Sequence, residues 1–562
     1  MKGLTKEIDC RTTINTFLFI TMNLSFSLQS KRVAALFCGI FFLCCLYLPE
    51  VLGSKQLEGE IDVPNQLQDA ANNPESKELN ANTTEAPFEF DFETYVRLKG
   101  KNVRKANVVL KNLYSETTED FAGTPDNPDD DLLVGAQAGY YAKPGTEQAY
   151  GPLVLYGRVW TYDTGMALSL AVYNEDPTSH NRLLWLVKHA QNTFDPENPG
   201  KSLFAGWPFS KNQAYLGDNW TDCRFITGAN ACALLGMAKY ITSKFFQELD
   251  QDQQDYYLKL FRRALAGILY HIESEGPNEG LVAAGWTINV LKEVGKTDYS
   301  YGEILSMAGY EKRTIKGYPY PLKRIRARNI VTEHCANVLA LLNYTLEYYD
   351  ILLEDSTVYT YDELAEMRLK LRESIFDKLY DREKGHFITG RSESGVSSEH
   401  ASISNASWLV LVLRLDDLTT DQVTALSKSL LYTIDSFTKD FKINGGTYFG
   451  AHYFQDGFED PYVVKADLHS DGLHVEGTCR LINSLLMFSN AFPEDPNAPF
   501  FHVTALKLWQ SLQHLIDDYG FIYASTSLKD VTEPLESSVS AIWYLRTCNF
   551  FDANPKWYKT FR

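Results

Sequence analysis

Three carboxylates stand where polar loop sequence gives way to an apolar helical pattern: Asp163 in Tyr162-Asp163-Thr164, Glu333 in Thr332-Glu333-His334, and Glu476 in Glu476-Gly477-Thr478. A carboxyl group in an aromatic-lined, partly dry pocket has a raised pKa and can donate a proton near neutral pH, while an ionised carboxylate nearby activates water. Glu333 is the candidate acid, with Asp163 or Glu476 as base. Each position also has a purely structural reading. Asp163 and Thr332 are placed as helix N-caps, Glu333 as a first-turn charge favoured by the helix dipole, and Asp471 as the cap of the helix carrying Glu476.

Other residues suited to bind a ligand lie close to these in sequence. The stretch Ala205 to Arg224 holds Trp207, Trp220, Asp222 and Arg224, and large aromatics with charges on one long loop suit a ligand rim. Together with His334 these are the expected substrate contacts. The run Asp467-Leu468-His469-Ser470-Asp471-Gly472-Leu473-His474-Val475-Glu476 gathers two His, two Asp and a Glu without matching a metal-site spacing. No metal and no cofactor are expected.

The elements that must position these residues are helices. From about Leu132 onward, twelve segments carry apolar residues at helical spacing between Gly-, Pro- and aromatic-rich loops, among them Thr164–Tyr173, Thr227–Phe246, Gly280–Val294, Thr332–Leu353, Leu473–Phe492 and Ser537–Phe550. Strand signals are sparse. The pattern predicts an all-α fold, an α/α toroid of about six helical hairpins with its sites on the loops at one end.

The chain divides into three parts. Residues 1–52 form a leader whose apolar run Val33 to Leu48 follows Lys31 and Arg32 and reads as a signal peptide or signal anchor. Residues 53–130 read as a disordered, charged lead-in, and 131–562 as the toroid. The leader predicts export: a secreted, periplasmic or membrane-anchored protein whose C-terminal domain lies outside the cytoplasm. A net charge of −19 argues against nucleic acid or a strongly anionic polymer as the main partner and favours a neutral ligand. Beyond the leader, Cys223, Cys232, Cys335, Cys479 and Cys548 are scattered and form no C-x-x-C pair, which argues against a zinc knuckle or a dense disulfide framework.

Taken in order, the motifs resemble a bacterial family of glycoside-hydrolase-like proteins with a six-hairpin toroid. Its members carry Tyr-Asp-Thr-Ala-Leu-Ala, Thr-Gly-x-Asn-Ala, Thr-Glu-His-Asn, Glu-Gly-Thr and a closing helix of Ala-Thr-Ala-Trp-Tyr type. The matching residues here are Tyr162-Asp163-Thr164, Thr227-Gly228-Ala229-Asn230-Ala231, Thr332-Glu333-His334, Glu476-Gly477-Thr478 and Ala541-Ile542-Trp543-Tyr544. Cys335 stands where the family has Asn, and Gly165-Met166 where Ala-Leu is common. The resemblance implies a carbohydrate-active enzyme, an inverting glycoside hydrolase taking an oligo- or polysaccharide. The alternatives are a polysaccharide lyase or sugar epimerase on the same fold, or a non-catalytic glycan-binding or assembly protein at the cell surface.

Overall fold

The computed structural model describes residues 88, 90–120, 131–137, 140–141, 158–189, 191–192, 205–206, 210–212, 220–222, 225–289, 323–353, 358–398, 400–443, 445–452, 472–521 and 536–553. Twelve helices of ten or more residues occur among them: α1 (Phe92–Asn112), α2 (Thr161–Tyr173), α3 (Ser179–His189), α4 (Thr227–Ile241), α5 (Gln251–Leu269) and α6 (Thr332–Glu347), then α7 (Tyr361–Lys378), α8 (Ile403–Val412), α9 (Thr420–Phe437), α10 (Val475–Ala491), α11 (Ala498–Tyr519) and α12 (Ser538–Ala553). The even-numbered helices form a closed ring. α2 packs on α4, α4 on α6, α6 on α8, α8 on α10, α10 on α12, and α12 returns to α2. The odd-numbered helices lie outside: α3 covers α2 and α4, α5 covers α4, α7 covers α6, α9 covers α8, α11 covers α10, and α1 covers α12. This is an α/α toroid of six hairpins.

Composition sorts the two layers. Inner helices meet protein on nearly every side, and in α4 every residue except Leu235 and Lys239 is buried. Outer helices bury one stripe, as α5 does with Tyr257, Leu260, Phe261, Ala264, Leu265 and Ile268. Where α2 crosses α4 the backbones approach so closely that a Cβ on Gly236 would stand 2.6 Å from the Gly165 carbonyl oxygen, and one on Gly165 2.6 Å from the Ala233 backbone. The Gly165-Met166 pair therefore serves packing between two inner helices.

Two expectations change. Of the expected helix Gly280–Val294, the described residues, up to Asn289, are not helical: they contain strand β1 (Ala283–Asn289), which pairs antiparallel with β2 (Lys323–Val331). Gly285, at φ 130°, sits at a register shift that a helix could not contain, and Thr287 and Ile288 favour a strand. The twelfth helix is instead α1, inside the stretch expected to be a disordered lead-in. Its Tyr95, Leu98, Asn102, Ala106 and Val109 are buried at helical spacing, while its lysines serve the neighbouring helix end. Lys105 Nζ donates to the Ile516 and Asp517 carbonyls near the C-terminus of α11 at 3.1 and 2.6 Å, and Asn102 Nδ2 to the Gln513 carbonyl at 2.9 Å. Charge alone suggested solvation, but these charges satisfy a helix end.

Cys232, Cys335, Cys479 and Cys548 are buried free thiols, and Cys223 lies outside the described residues. Among the described residues no helix is long and apolar enough to cross a membrane. The apolar run Val33 to Leu48 lies outside them.

Candidate active site

Five of the six inner helices lead through a connection into an outer helix, and the approaches of Ser538 to Asp163, Tyr162 to Glu476, Arg480 to Glu333, Gly228 to His334 and Gly477 to Ile403 place all six inner N-termini at one end of the ring. The four-stranded sheet containing β1 and β2 anchors two of them. β2 runs straight into α6, and the short strand Phe225–Ile226, which pairs with β1, runs into α4. Sheet register thus sets where Glu333 and Gly228 emerge.

The first turns of three inner helices bring Asp163, Glu333 and Glu476 to this mouth, and Arg480 ties two of them together. Its Nη1 lies 2.9 Å from Glu333 Oε1 and its Nη2 3.2 Å from Glu476 Oε1. Arg480 itself is buried, its guanidinium carbon 4.6 Å from the Trp408 ring centroid and 5.9 Å from that of Trp543. Glu476 also accepts from the Tyr162 hydroxyl at 3.1 Å, and that hydroxyl accepts from Trp543 Nε1 at 3.3 Å. Sequence reasoning passed over Arg480, Trp408, Tyr162 and Trp543 as parts of the site. One signal was available, because Glu476 and Arg480 are spaced i, i+4 on a helix.

Environment separates the carboxyls. Burial, followed by the nearby Glu476 charge, pushes Asp163 up to about 8, and the Ser538 hydroxyl at 3.4 Å opposes this only in part. Glu476 is raised as well, by burial first and also by Glu333, with Arg480 pulling the other way. At least one proton is therefore held between Asp163 and Glu476 near neutral pH.

The helix starts differ in detail from expectation. Thr332 is not the N-cap of α6; Val331 holds that position, and the Thr332 hydroxyl donates to the Ile388 carbonyl at 2.6 Å. Asp163 is no cap either, since α2 begins at Thr161 and the Asp163 carboxylate turns to Ser538. The cap of α10 is His474, whose Nδ1 accepts from Gly477 N at 2.7 Å, whereas Asp471 lies outside the described residues.

His334 sits beside Glu333 in sequence but packs inward, 1 % exposed, against Gly228, where a Cβ would come within 2.4 Å of its ring. Burial drives its pKa down to about 3, so the imidazole stays neutral. Cys335, the departure from the family pattern, turns away from the mouth; its Sγ accepts from Val282 N at 3.4 Å. Trp207 and Arg224 lie outside the described residues, as do Asp467 and His469. For Trp220 and Asp222 only the backbone is described, in a short strand paired with Ser210–Asn212.

No protein-family model matches the sequence, and no curated protein matches it. Similar solved structures include a GH76 alpha-mannanase from Bacteroides thetaiotaomicron, at 11 % identity and TM-score 0.43 over 81 % of this chain and 96 % of that one. The cellobiose 2-epimerase of Spirochaeta thermophila is similar at 11 % identity and TM-score 0.47, over 82 % of this chain and 97 % of that one. A sugar epimerase from a ruminal bacterium is similar at 10 % identity and TM-score 0.47, over 82 % and 98 %. At such identities the likeness is one of outline, and the roles of residues here rest on this chain's own geometry.

Proposed function

We propose that this chain is a glycoside hydrolase acting on a neutral glycan, with its chemistry at the mouth of the inner ring. The supporting observation is the pairing of Glu333 and Glu476, whose side chains are 12 % and 13 % exposed, on the two Nη atoms of one buried arginine between two tryptophans. Hydrolysis needs one protonated and one ionised carboxyl flanking the glycosidic bond. Glu476, raised by burial and by Glu333 and in contact with the Tyr162 hydroxyl, suits the donor of a proton to the departing oxygen. Glu333 suits the carboxylate that takes a proton from the attacking water. This exchanges the roles expected from sequence, where Glu333 is the acid. Asp163 stands behind Glu476, and the two raised carboxyls share the proton that the donor delivers.

Glu333 and Glu476 stand on α6 and α10, which are separated in the ring by α8. An inverting hydrolase, the type the resemblance implies, requires room for a water between the two carboxyls. Three carboxyls against one guanidinium provide no surplus positive charge for a uronate, which favours a neutral sugar. Of the His or Tyr base that a lyase or epimerase would use, the histidine finds little support in His334, which is enclosed and held neutral by burial. The apolar run Val33 to Leu48 supports placing the domain outside the cytoplasm, secreted, periplasmic or anchored.

The test is hydrolysis of neutral oligosaccharides by Glu476→Gln and Glu333→Gln, with folding checked by circular dichroism. Each variant is expected to lose about 10²–10⁴-fold in kcat. Full hydrolysis by either folded variant would refute the assignment, and ultraviolet absorbance from a new double bond in the product would identify a lyase instead. The anomer formed first, read by proton NMR, reports inversion.

A further inference from the structure

Trp543, Tyr162 and Glu476 form a hydrogen-bond chain that can run in one direction only. An indole N–H donates and never accepts, so the Tyr162 oxygen uses a lone pair on Trp543 Nε1 at 3.3 Å and turns its own proton to another acceptor. That acceptor is Glu476 Oε1, at 3.1 Å. Burial, and then the Glu476 charge, hold the Tyr162 hydroxyl well above its ordinary 10, so it keeps the proton it donates.

Glu476 Oε1 also faces Arg480 Nη2, at 3.2 Å. Two donors, one of them a guanidinium that stays charged, therefore converge on the same oxygen, one from α2 and one from α10 itself. A proton placed on Oε1 would point at a donor and break one of these contacts. Oε2 has no hydrogen-bond partner among the described residues. The other charged groups around the carboxyl are Glu333 on α6, held by Arg480 Nη1, Asp163 on α2, and Arg546 on α12, whose guanidinium carbon lies 5.2 Å from the Trp543 centroid. Cys232 on α4, and His474 and Cys479 beside Glu476, are kept uncharged by burial. Among the described residues none of these donates to Glu476.

We propose that Tyr162 is a positioning residue for the proton-donating carboxyl: held by Trp543, it pins Glu476 Oε1 as an acceptor and leaves the proton on Oε2. This rests on the hydrolase reading with Glu476 as the acid, and adds which oxygen delivers the proton and what holds it there. In the donating step the Oε2–H bond breaks, the proton goes to the glycosidic oxygen as its bond to carbon parts, and the electron pair stays on Glu476. The charge that develops there meets two donors already in place, Tyr162 and Arg480. The same hydroxyl favours the ionised carboxylate and so opposes the rise that burial imposes on Glu476.

The experiment compares pH profiles of kcat/KM on a neutral oligosaccharide for the wild type, Tyr162→Phe, Trp543→Phe and the double variant. Tyr162→Phe removes one hydroxyl and keeps the ring. It is expected to lose about tenfold in kcat and to move the alkaline limb up by about one unit, because the acid then holds its proton more tightly. A packing defect alone would lower Tm or kcat without moving that limb. Trp543→Phe loses the N–H, so its shift is expected to be smaller, of the same sign, and absent in the Tyr162→Phe background. Titration of Glu476 without substrate, by carbon NMR of labelled glutamate with Glu476→Gln as the assignment control, reads the same shift without any reaction. If the wild type hydrolyses nothing, the hydrolase reading fails, and the NMR titration still decides whether Tyr162 governs Glu476. A folded Tyr162→Phe that leaves Glu476 titrating as in the wild type, or leaves the alkaline limb unmoved, overturns the proposal. So does a Trp543→Phe shift that adds in full to that of Tyr162→Phe; if Trp543→Phe does not fold, Tyr162→Phe alone decides.

Discussion

Arg480 on α10 reaches Glu333 on α6 across the mouth of the ring, Nη1 to Oε1 at 2.9 Å, although 147 positions separate the two residues. The other arm of the guanidinium holds Glu476 on its own helix. A single buried cation thus joins two inner helices that are not neighbours, and the charge balance of the mouth depends on it.

Replacing Arg480 by Met would leave two largely enclosed glutamates facing each other without a counter-charge. Breaking a buried pair by removing one partner costs about 3–5 kcal/mol. Arg480→Met is therefore expected to lower the free energy of unfolding by that order in urea, and adding Glu333→Gln and Glu476→Gln to it should recover part of the loss. A single variant as stable as wild type would show that the bridge carries no such weight.

Glycine-to-alanine changes at two helical positions should have opposite signs. A Cβ at Gly236 meets the Gly165 carbonyl oxygen at 2.6 Å, and neither backbone can yield without parting α2 from α4. Gly236→Ala is expected to cost about 1–3 kcal/mol despite its better helix propensity. At exposed Gly100 on α1 a Cβ meets only Arg104 Nη1, at 3.9 Å, so Gly100→Ala should stabilise by up to about 1 kcal/mol. Thermal melts of the two variants decide it, and shifts of equal sign would refute the close-crossing argument.

Asn102 tests whether α1 belongs to the folded ring. It is fully buried and its Nδ2 donates to the Gln513 carbonyl and to Gln513 Oε1, at 2.9 and 3.1 Å. Asn102→Leu leaves those acceptors short of a donor in a dry site, at a cost of about 1–3 kcal/mol. A neutral result would mean that α1 does not contribute to global stability.

These comparisons show what the sequence made legible. The alternation of apolar helical segments pointed to six hairpins, and the polar residues at helix starts pointed to Asp163, Glu333 and Glu476, because both signals are local. What escaped was set by partners distant in the chain. α1 was hidden by lysines whose partners lie some four hundred positions away, the carbonyls near the end of α11 for Lys105 and the Asp517 carboxylate for Lys101. β1 was hidden because Leu281, Val282, Ala283 and Ala284 suit a buried helix as well as a strand, and its pairing with β2 decided between them. Arg480 looked like one more charge on a helix. Its importance comes from the ring closing around it.

The pH dependence of stability should show two opposed limbs. Asp163 rises from an ordinary 3.8 to about 8 on folding, so the folded chain keeps a proton that the unfolded chain releases. That stability is fully present below 3.8 and is lost as pH rises towards 8, by at most about 1.4 kcal/mol per unit. Glu476 is shifted in the same direction and adds to this limb. His334 falls from 6.5 to about 3, so there the unfolded chain takes up the proton, and stability is lost as pH drops from 6.5 towards 3. Between about 4 and 6.5 the two slopes oppose each other, and above about 7 the carboxyl limb is opposed by Lys239, whose ammonium burial pushes from 10.5 down to about 7, so that this group's contribution to stability rises with pH. Asp163→Asn should therefore remove a contribution that falls with pH, so that between 6.5 and about 8 its Tm changes more favourably with pH than that of the wild type, whereas His334→Gln should keep the wild-type alkaline slope and soften the acid one. An Asp163→Asn variant with the wild-type slope between 6.5 and 8 would show that this carboxyl is already ionised in the folded ring and cannot be the proton store behind Glu476.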